Sequence, residues 1–481
     1  MNVLYVIVTW VSLALVVPGL VFIQLPEEAD LTTEASISLA ILLYCATRLS
    51  WMAGQGRPRL LSFTFFLFIY VWIGLAATAQ LAVNDFPWQR MHVPEDLLPG
   101  ILEVALAIAA FEAGLVWARL RPPNAAAPSV FSGMSLAISD RAAVWLSVVA
   151  VGLTLLGMYS WGFNHIFITR AQFEKVVAGT LAEGLIARTL LRAPSLVTFT
   201  VVAYNAITRW HTFNQERKRF YFLLTLLLGV LDYCANYPPA QSRFWLGAVV
   251  LTPAFALPRW RKWFAPMWII GLAVGLTVLF PYLDLFRHAG SVTQAFDQLD
   301  TSESAVNKMI HKADYDVFQL TLDGYAYGER AGPTWGENFL GAAAFWFPRA
   351  YWPTKPYGTG VEVATFFHRS FTNLSAPLWM ESYYAFGWLG IGIVLMFYGR
   401  ICALGETLYE RSLAPGAPDS LSRLLVPYWA AFQMFMMRGD LLNAVAYSSF
   451  GYLILVGAAV LPRIWGRRVR TGSVPTMTGF E

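Results

Sequence analysis

Long apolar runs recur along the whole chain, with few charged residues inside them. Residues 3–23, 60–83 and 97–120 are examples, and about 17–25 apolar residues are what an α-helix needs to cross a bilayer. The runs do not alternate apolar with polar residues, as the strands of a membrane barrel would. Only 13% of the residues are charged, where soluble domains average about 25%. The sequence therefore predicts an all-α polytopic membrane protein and excludes a soluble domain.

We predict about 12 transmembrane helices, with a large extracytoplasmic loop between the ninth and the tenth. The predicted spans are 3–23, 36–52, 60–83, 97–120, 143–161, 193–210, 220–236, 244–257, 265–286, 383–403, 424–437 and 442–461. One long re-entrant hairpin over 220–257 is an alternative. The chain thus divides into helices one to nine (1–286), the loop (287–382), helices ten to twelve (383–463) and a cytoplasmic tail (464–481). The first run lacks the basic start and the cleavage site of a signal peptide, so it is interpreted as an uncleaved helix.

Lysine and arginine are concentrated in alternate connections, and cytoplasmic loops are the ones that carry this excess. The rich connections and the tail hold Arg48, Arg57, Arg59, Arg119, Arg121, Arg141, Arg209, Arg217, Lys218, Arg219, Arg259, Arg261, Lys262, Arg400, Arg411, Arg423, Arg463, Arg467, Arg468 and Arg470. The short connections on the other side hold only Arg90, Arg243 and Arg438. Both termini are therefore predicted to be cytoplasmic. The long segments 162–192 and 287–382 would lie outside, where we expect the functional face.

Familiar catalytic and metal-binding patterns are absent from the sequence. Cys45, Cys234 and Cys402 all fall in predicted spans, which argues against a disulfide framework. The six histidines show no paired metal-ligand spacing, and Asp314 with Asp316 is the nearest approach to a metal pair. There is no phosphate-binding glycine loop and no G-x-S-x-G nucleophile elbow. We therefore expect no metal, no cofactor and no nucleic-acid partner.

Ionisable residues gather at the predicted outer helix ends and in the outer loops. They are Arg170, Arg192, Arg243, Arg349, Lys355, His368, Arg369, Glu381, Arg438 and Asp440. Ionisable groups at membrane depth are costly and indicate a functional site, although snorkelling or a single salt bridge is the alternative for any one of them. Because arginine is suited to bidentate phosphate contacts, the set favours an anionic lipid headgroup or a diphosphate as ligand.

Residues 345–360, FWFPRAYWPTKPYGTG, form the most informative stretch of the outer loop. Three prolines stiffen the backbone and would hold Arg349 and Lys355 in set positions. Before it, Tyr315, Phe318 and Leu322 share one face of a helical pattern over 312–325. This pattern predicts an amphipathic helix lying on the membrane. The many tyrosines and tryptophans of the loop indicate either an interfacial aromatic belt or surfaces for sugar stacking.

Six short motifs follow one another through the second two-thirds of the chain. They are ITRAQF at 168–173, QSRFW at 241–245, DYDVF at 314–318, FPRAYWPTKPYGTG at 347–360, APLWMESYYAFGWLG at 376–390 and MRGDL at 437–441. In order and spacing they resemble motifs of O-antigen polymerases, the Wzy-type polymerases of oligosaccharide repeat units. The first four predicted spans carry no motif of that family.

The resemblance implies a helical bundle with an outer, partly lipid-facing cavity, and glycosyl transfer without a metal or other cofactor. The growing glycan would leave undecaprenyl diphosphate for a hydroxyl of the next undecaprenyl-diphosphate-linked unit. The expected location is the bacterial cytoplasmic (inner) membrane, with the active site facing the periplasm. Donor, acceptor and membrane lipids are the expected partners, with a chain-length regulator and a flippase as further candidates.

The resemblance also implies roles for particular residues. Glu381, or in second place His368, would be the general base that activates the acceptor hydroxyl; a structural salt bridge from Glu381 to Arg438 is the alternative. The expected diphosphate- and substrate-binding residues are Arg170, Arg243, Arg349, Lys355, Tyr384, Arg438 and Asp440. The four cations of this set other than Arg170 are expected to converge on one outer cavity, because a diphosphate needs several donors at once.

Three other functions fit parts of the same pattern. O-antigen ligases share the architecture and the reaction class, and a polymerase for exopolysaccharide or capsule would use the same chemistry. A non-enzymatic transporter of a lipid-linked or anionic solute is the alternative from another class. A transporter should carry ionisable residues near the membrane midplane at helix breaks. Here they gather at outer helix ends, which favours an extracytoplasmic enzyme.

Overall fold

The computed structural model describes residues 1–121, 138–180, 184–258, 260–284, 289, 291–297, 304–414, 416–417 and 419–470. Within these ranges the chain forms helices and turns, with no β-strand. In chain order the helices are α1 (Val3–Phe22), α2 (Thr33–Gln55), α3 (Leu60–Val83), α4 (Leu97–Leu120), α5 (Asp140–Trp161), α6 (Arg170–Val177), α7 (Leu185–Arg209), α8 (Gln215–Ala235), α9 (Arg243–Ala256), α10 (Phe264–Tyr282), α11 (Val292–Asp297), α12 (Ala305–His311), α13 (Val317–Ala331), α14 (Glu337–Ala343), α15 (Thr359–Phe366), α16 (Leu378–Ser412), α17 (Ser422–Arg438) and α18 (Leu441–Arg470).

Ten of the described helices are long and apolar enough to cross a membrane. This confirms the prediction of an all-helical multi-pass membrane protein. The predicted spans 244–257 and 424–437 correspond to two shorter helices, α9 with 14 residues and α17 with 17 residues. The exact number of membrane crossings stays a prediction.

Two hydrophobic cores meet along α9 and α17, which pack against each other. The larger core surrounds the enclosed helix α3 and includes α4, α10, α13 and α16, whereas α5, α7, α8 and α18 build the smaller one. From α9, Leu251 enters the larger core and Trp245 the smaller; from α17, Val426 and Tyr428 divide in the same way. The start of α9, the end of α17 and the start of α18 lie together at one end of the bundle, here called the site end.

The most extensive helix pair, α4 with α16, is built on glycines. A Cβ atom on Gly114 would overlap the carbonyl oxygen of Met396, and one on Gly399 would overlap the carbonyl oxygen of Phe111. Small residues at these positions let the two backbones approach closely, which is a common way for helices to associate in lipid.

The helix predicted over 312–325 lies in a different environment from the one expected. It is α13, which packs between α4 and α16, and its polar residues Gln319, Thr321 and Asp323 are buried together with its apolar ones. Gln319 exchanges hydrogen bonds of 2.8 Å with the backbone of Trp88, and Asp323 pairs with His92 and Arg369. The prediction of a surface helix was wrong because protein partners, and not water, satisfy the polar face.

Two element boundaries also differ from the prediction. The span predicted at 383–403 is part of α16, which begins earlier and is broken at Phe386 and Gly387, where Gly387 has φ 63°. Glycine tolerates this left-handed conformation without a steric penalty. At the other end, α18 continues to Arg470 and so overlaps the predicted tail. Residues 471–481 of that tail lie outside the described residues.

Candidate functional site

A cavity of about 320 Å³ opens at the site end, and we call it the arginine cavity. Its walls come from the start of α6, the start of α9, the turn 313–316, the loop 371–375, the end of α17 and the start of α18. Three helices therefore begin at its wall, and helix N-termini favour anions through their free N–H groups and their dipole. Its ionisable lining residues are Arg170, Arg243, Arg438, Asp314, Asp316 and Asp440.

Arg243 enters the cavity as the first residue of α9. The Ser242 side chain caps this helix by accepting from the Trp245 backbone N–H, which fixes where the helix starts. The Arg243 guanidinium forms an ion pair with Asp314 and lies over the Phe280 ring, 5.3 Å from its centroid. Only 9% of Arg243 is exposed, so the position of its charge is set by the fold.

Arg438 enters from the opposite direction, as the last residue of α17. Its guanidinium donates to the carbonyl of Ala313 at 2.7 Å and to Asp316 at 3.0 Å, and it lies 4.9 Å from the Phe244 ring centroid. Its Nε atom is buried and has no hydrogen-bond partner. A buried donor without a partner costs stability, which indicates that a ligand could satisfy it.

Two carboxylates on one turn thus hold two arginines from separate helices. The second oxygen of Asp316 accepts a 2.9 Å bond from the indole N–H of Trp88. Burial raises the pKa of Asp316, while Arg438 and Trp88 lower it again. The sequence indicated Asp314 and Asp316 only as an acidic motif and a weak metal pair. Their spacing was the signal, but nothing local shows that both face arginine.

Asp440 lies between α17 and α18 and also lines the cavity. It caps α18, because its two oxygens accept from the Asn443 backbone N–H at 2.9 Å and from the Asn443 side-chain amide at 2.7 Å. Burial raises the pKa of Asp440, and the bonds from Asn443 offset this in part. A carboxylic acid with a raised pKa at a cavity wall is suited to proton transfer.

Gly358, the residue before α15, packs directly against this carboxylate. A Cβ atom there would lie 2.6 Å from the Asp440 Cγ atom. The Gly358 backbone, at φ −61° and ψ 139°, is accessible to any residue. The glycine is therefore needed for space and not for conformation.

We expect Gly358→Ala to displace the Asp440 side chain while the backbone keeps its conformation. If Asp440 acts in the glycosyl transfer that the sequence resemblance implies, a shift of this kind should lower the turnover of that reaction on the order of 100-fold. Turnover per mole of folded protein is the measurement. Gly392→Ala is the matched control, because the space around Gly392 is open. Normal turnover by Gly358→Ala would argue against a role for Asp440.

Arg170 is the third arginine of the cavity and starts α6. The preceding Thr169 forms a reciprocal capping box with Gln172, which fixes the first turn of this helix. Arg170 also lines a second, smaller pocket next to the cavity. The structure therefore brings together four of the predicted site residues, namely Arg170, Arg243, Arg438 and Asp440.

Arg349 and Lys355 do not line the cavity, contrary to the expected convergence of four cations. Arg349 donates to the carbonyls of Lys355 and Pro356, and Lys355 donates to those of Phe345 at 2.7 Å and Phe347 at 3.1 Å. Burial and the neighbouring Arg349 lower the pKa of Lys355. Both cations brace their own proline-rich loop, whose carbonyls have no helical partners.

Glu381, Tyr384 and His368 do not line the cavity either. Glu381 is 1% exposed and accepts from the Leu441 N–H at 2.8 Å, from Asn338 at 2.7 Å and from Thr359 at 2.6 Å. Tyr384 donates to Glu362 at 3.0 Å and shares a 2.7 Å bond with Tyr327. His368 is exposed in a turn after α15, at φ 52°.

This geometry favours a structural role for Glu381 over the expected role as base. Its carboxylate joins α14, α15, α16 and α18, and it does not pair with Arg438. We expect Glu381→Gln to lower the melting temperature, since the amide nitrogen would face donors and leave one unsatisfied, at about 1–3 kcal/mol each. Thermal unfolding in detergent measures this. Glu337→Gln, at an exposed position on α14, is the matched control and should change stability by about 0.5 kcal/mol or less.

Within the described part of the chain, no group of three or more His, Cys, Asp or Glu side chains is arranged to hold a metal ion. Asp314 and Asp316, the predicted nearest approach to a metal pair, each bind an arginine.

Fold and site together define the class, which is an all-helical multi-pass membrane protein with an arginine-lined cavity at one end of its bundle. No family model, no curated protein and no solved structure matches the chain.

Proposed function

We propose that the protein is a polymerase that joins undecaprenyl-diphosphate-linked oligosaccharide repeat units by glycosyl transfer, without a metal. The observation that carries this proposal is the convergence of Arg170, Arg243 and Arg438 on one cavity that also contains Asp440. This set supplies cations for a leaving diphosphate and a base for an attacking hydroxyl. The order of motifs that resembles O-antigen polymerases supports the same reaction.

The cations of the cavity are held in place before any ligand binds. Arg243 and Arg438 are each fixed by a carboxylate and by an aromatic ring. Preorganised charges aimed at the place where negative charge develops are usually the largest single contribution to catalysis. The unpartnered Nε of Arg438 is one donor that a diphosphate oxygen could use. Asp314 and Asp316 balance the charges of two of the arginines. The three helix N-termini at the wall therefore matter as a further source of attraction for an anion.

In the proposed reaction, the acceptor hydroxyl oxygen attacks the anomeric carbon that bears the diphosphate. The bond from that carbon to the diphosphate oxygen breaks, and the electron pair leaves with the diphosphate. Asp440 takes the proton of the hydroxyl. The new glycosidic bond extends the chain by one unit, and undecaprenyl diphosphate is released.

The size of the cavity suits the reacting centre and not the whole substrate. At about 320 Å³ it is at the small end of ligand sites, which span about 300–1,000 Å³. A diphosphate with the adjoining sugar is the expected occupant, with lipid and glycan extending outside. Trp88 and Phe371 line the cavity and stack on each other at 5.9 Å with an interplanar angle of 14°. They offer an apolar wall to a sugar ring.

The expected location is the bacterial cytoplasmic membrane, with the arginine cavity facing the periplasm. The asymmetry of lysine and arginine between alternate loops supports this orientation. Lipid-linked units would reach the cavity after a flippase has moved them across the membrane, and a chain-length regulator is a further expected partner. Arg90 and Lys262 can be replaced with cysteine, one at a time, and labelled from either side of the membrane. The labelling tests which side of the membrane each position faces.

Deletion of the gene, followed by gel analysis of surface glycans, tests the function. Loss of the polymer ladder with retention of single-repeat glycans indicates the proposed polymerase. Loss of both indicates a ligase or a flippase, since either would act on all lipid-linked glycan. An unchanged glycan profile in a host that makes such polymers would contradict the proposal.

A further inference from the structure

A second pocket lies next to the arginine cavity and shares Arg170, Ser242 and Tyr447 with it. Its volume is about 40 Å³, room for roughly three water molecules at about 10–15 Å³ each. That is too small for a sugar and suits a single compact group. Arg188 and Arg192 of α7 and Gln241, just before α9, complete its polar wall.

Arg192 and Gln241 are the unusual members of this wall. They are 5% and 7% exposed, and Arg192 donates to the Gln241 side-chain oxygen at 2.7 Å. The Nε of Arg192 and the amide nitrogen of Gln241 are both buried without a hydrogen-bond partner. Both atoms are donors, so the missing partner is an acceptor. A buried charge paired only with a neutral amide is costly, which indicates that an anion completes the site.

The charge of the pocket points the same way. Three arginines line it, and Glu174 is its one acidic lining residue, bound by Arg188 at 3.0 Å. Arg192 lies over Phe173, at 4.2 Å from the ring centroid, and over Trp161 at 5.3 Å. These rings hold the guanidinium but supply no acceptor. The pocket is therefore more cationic than the arginine cavity, where three arginines face three carboxylic acids.

We propose that this pocket binds one phosphoryl group through Arg192 and Gln241. The group has several acceptor oxygens, carries negative charge and matches the size of the pocket. Arg170 would contact both this group and a ligand of the arginine cavity. The proposal goes beyond the polymerase reaction and does not depend on it.

The test is the melting temperature of the purified protein in a neutral detergent, measured against rising concentrations of inorganic phosphate at constant ionic strength. A ligand that binds only the folded state raises this temperature. Gln241→Glu places a carboxylate beside Arg192 and fills the site with an internal acceptor. We expect it to weaken the apparent phosphate affinity by about tenfold or more, since donors to a charged group are lost. Arg192→Gln should do the same if it folds.

Two controls separate this pocket from its surroundings. Gln172→Glu adds the same charge on α6, outside the pocket, where glutamate is also favoured in the capping box, and it should keep the phosphate response. Arg438→Gln combined with Asp316→Asn alters the arginine cavity and should keep the part of the phosphate response that Gln241→Glu removes. A response that is normal in Gln241→Glu but absent in the cavity variant would overturn this proposal and leave the polymerase proposal intact. A phosphate response that is lost in Gln241→Glu but kept in the cavity variant would support this proposal, whether or not the polymerase proposal holds.

The source of the phosphoryl group is resolved by a second arm. Nanodiscs of phosphatidylcholine are compared with nanodiscs that also contain phosphatidylglycerol. Stabilisation by phosphatidylglycerol in the wild type but not in Gln241→Glu identifies a lipid headgroup, whereas a response to inorganic phosphate alone identifies a soluble or substrate-borne phosphate. If neither stabilises the wild type more than Gln241→Glu, the pocket is not a phosphoryl site.

Discussion

Replacing Arg438 with glutamine should lower the turnover of the proposed polymerisation by about 100- to 1,000-fold or more. The guanidinium is the cation of the arginine cavity that has a buried donor without a partner, so a diphosphate loses a fixed contact. The single substitution also leaves Asp316 buried without its cation, which costs about 3–5 kcal/mol. Loss of activity in this variant alone would therefore be ambiguous.

The double variant Arg438→Gln with Asp316→Asn removes that ambiguity. It takes away the unpaired carboxylate, so the melting temperature should recover most of the loss, while turnover should not recover. Arg423 and Asp419 form a matched ion pair at 2.9 Å elsewhere in the chain, and Arg423→Gln with Asp419→Asn should keep near-normal turnover. Polymer length on gels and thermal unfolding are the two measurements. A folded, active Arg438→Gln/Asp316→Asn protein would refute the role of the cavity.

Asp440→Asn should lower turnover by about 100- to 10,000-fold, the usual contribution of a general base. Asparagine caps helices as well as aspartate does, and the Asn443 side chain can turn its amide oxygen toward the new amide nitrogen. The start of α18 and most of the stability should therefore be kept. The substitution therefore removes the proposed base and spares the cap. Turnover per mole of folded protein is the measurement, with Glu337→Gln again as the structural control. Equal losses of stability and activity would indicate that Asp440 acts only as a cap.

The pH dependence of the wild type carries a signature of the same residue. Only ionised Asp440 can accept a proton, and burial raises its pKa above the ordinary aspartate value of about 3.9. Activity should therefore fall, as the pH is lowered, at a higher pH than an exposed aspartate would give. The residual activity of Asp440→Asn should lack this acid limb. Because burial also raises the pKa of Asp316, retention of the limb in Asp440→Asn would assign it to Asp316.

The proposal of Asp440 in place of Glu381 as the base shows what sequence motifs leave undecided. Both residues are acidic and lie near helix starts, and both are parts of the resemblance to O-antigen polymerases. Glu381 accepts hydrogen bonds from Asn338, Thr359 and Leu441, and these bonds occupy both of its carboxylate oxygens. Asp440, in contrast, lines the arginine cavity. Nothing within a few residues of either carboxylate distinguishes these two environments.

The four cations that were expected to converge also fall into two different environments. Arg243 and Arg438 were predicted to share a cavity with Arg349 and Lys355, because all four lie at predicted outer positions. The proline-rich loop has many carbonyls without helical partners, and buried carbonyls must be satisfied. Arg349 and Lys355 supply those bonds. The number of cations in the sequence could not reveal that two of the four donate hydrogen bonds to backbone carbonyls.

The sequence by itself determined the class of the protein and the approximate position of its long apolar helices. A helix in lipid satisfies its own backbone, so its existence depends on the apolar length of one continuous segment. The buried place of α13, the pairing of Asp314 and Asp316 with Arg243 and Arg438, and the exclusion of Glu381 from the cavity were decided only by the tertiary structure. Each depends on burial and on partners far away in the chain. The two arginine pairs, for example, need α9 and α17 to pack side by side, because each helix supplies one of the arginines.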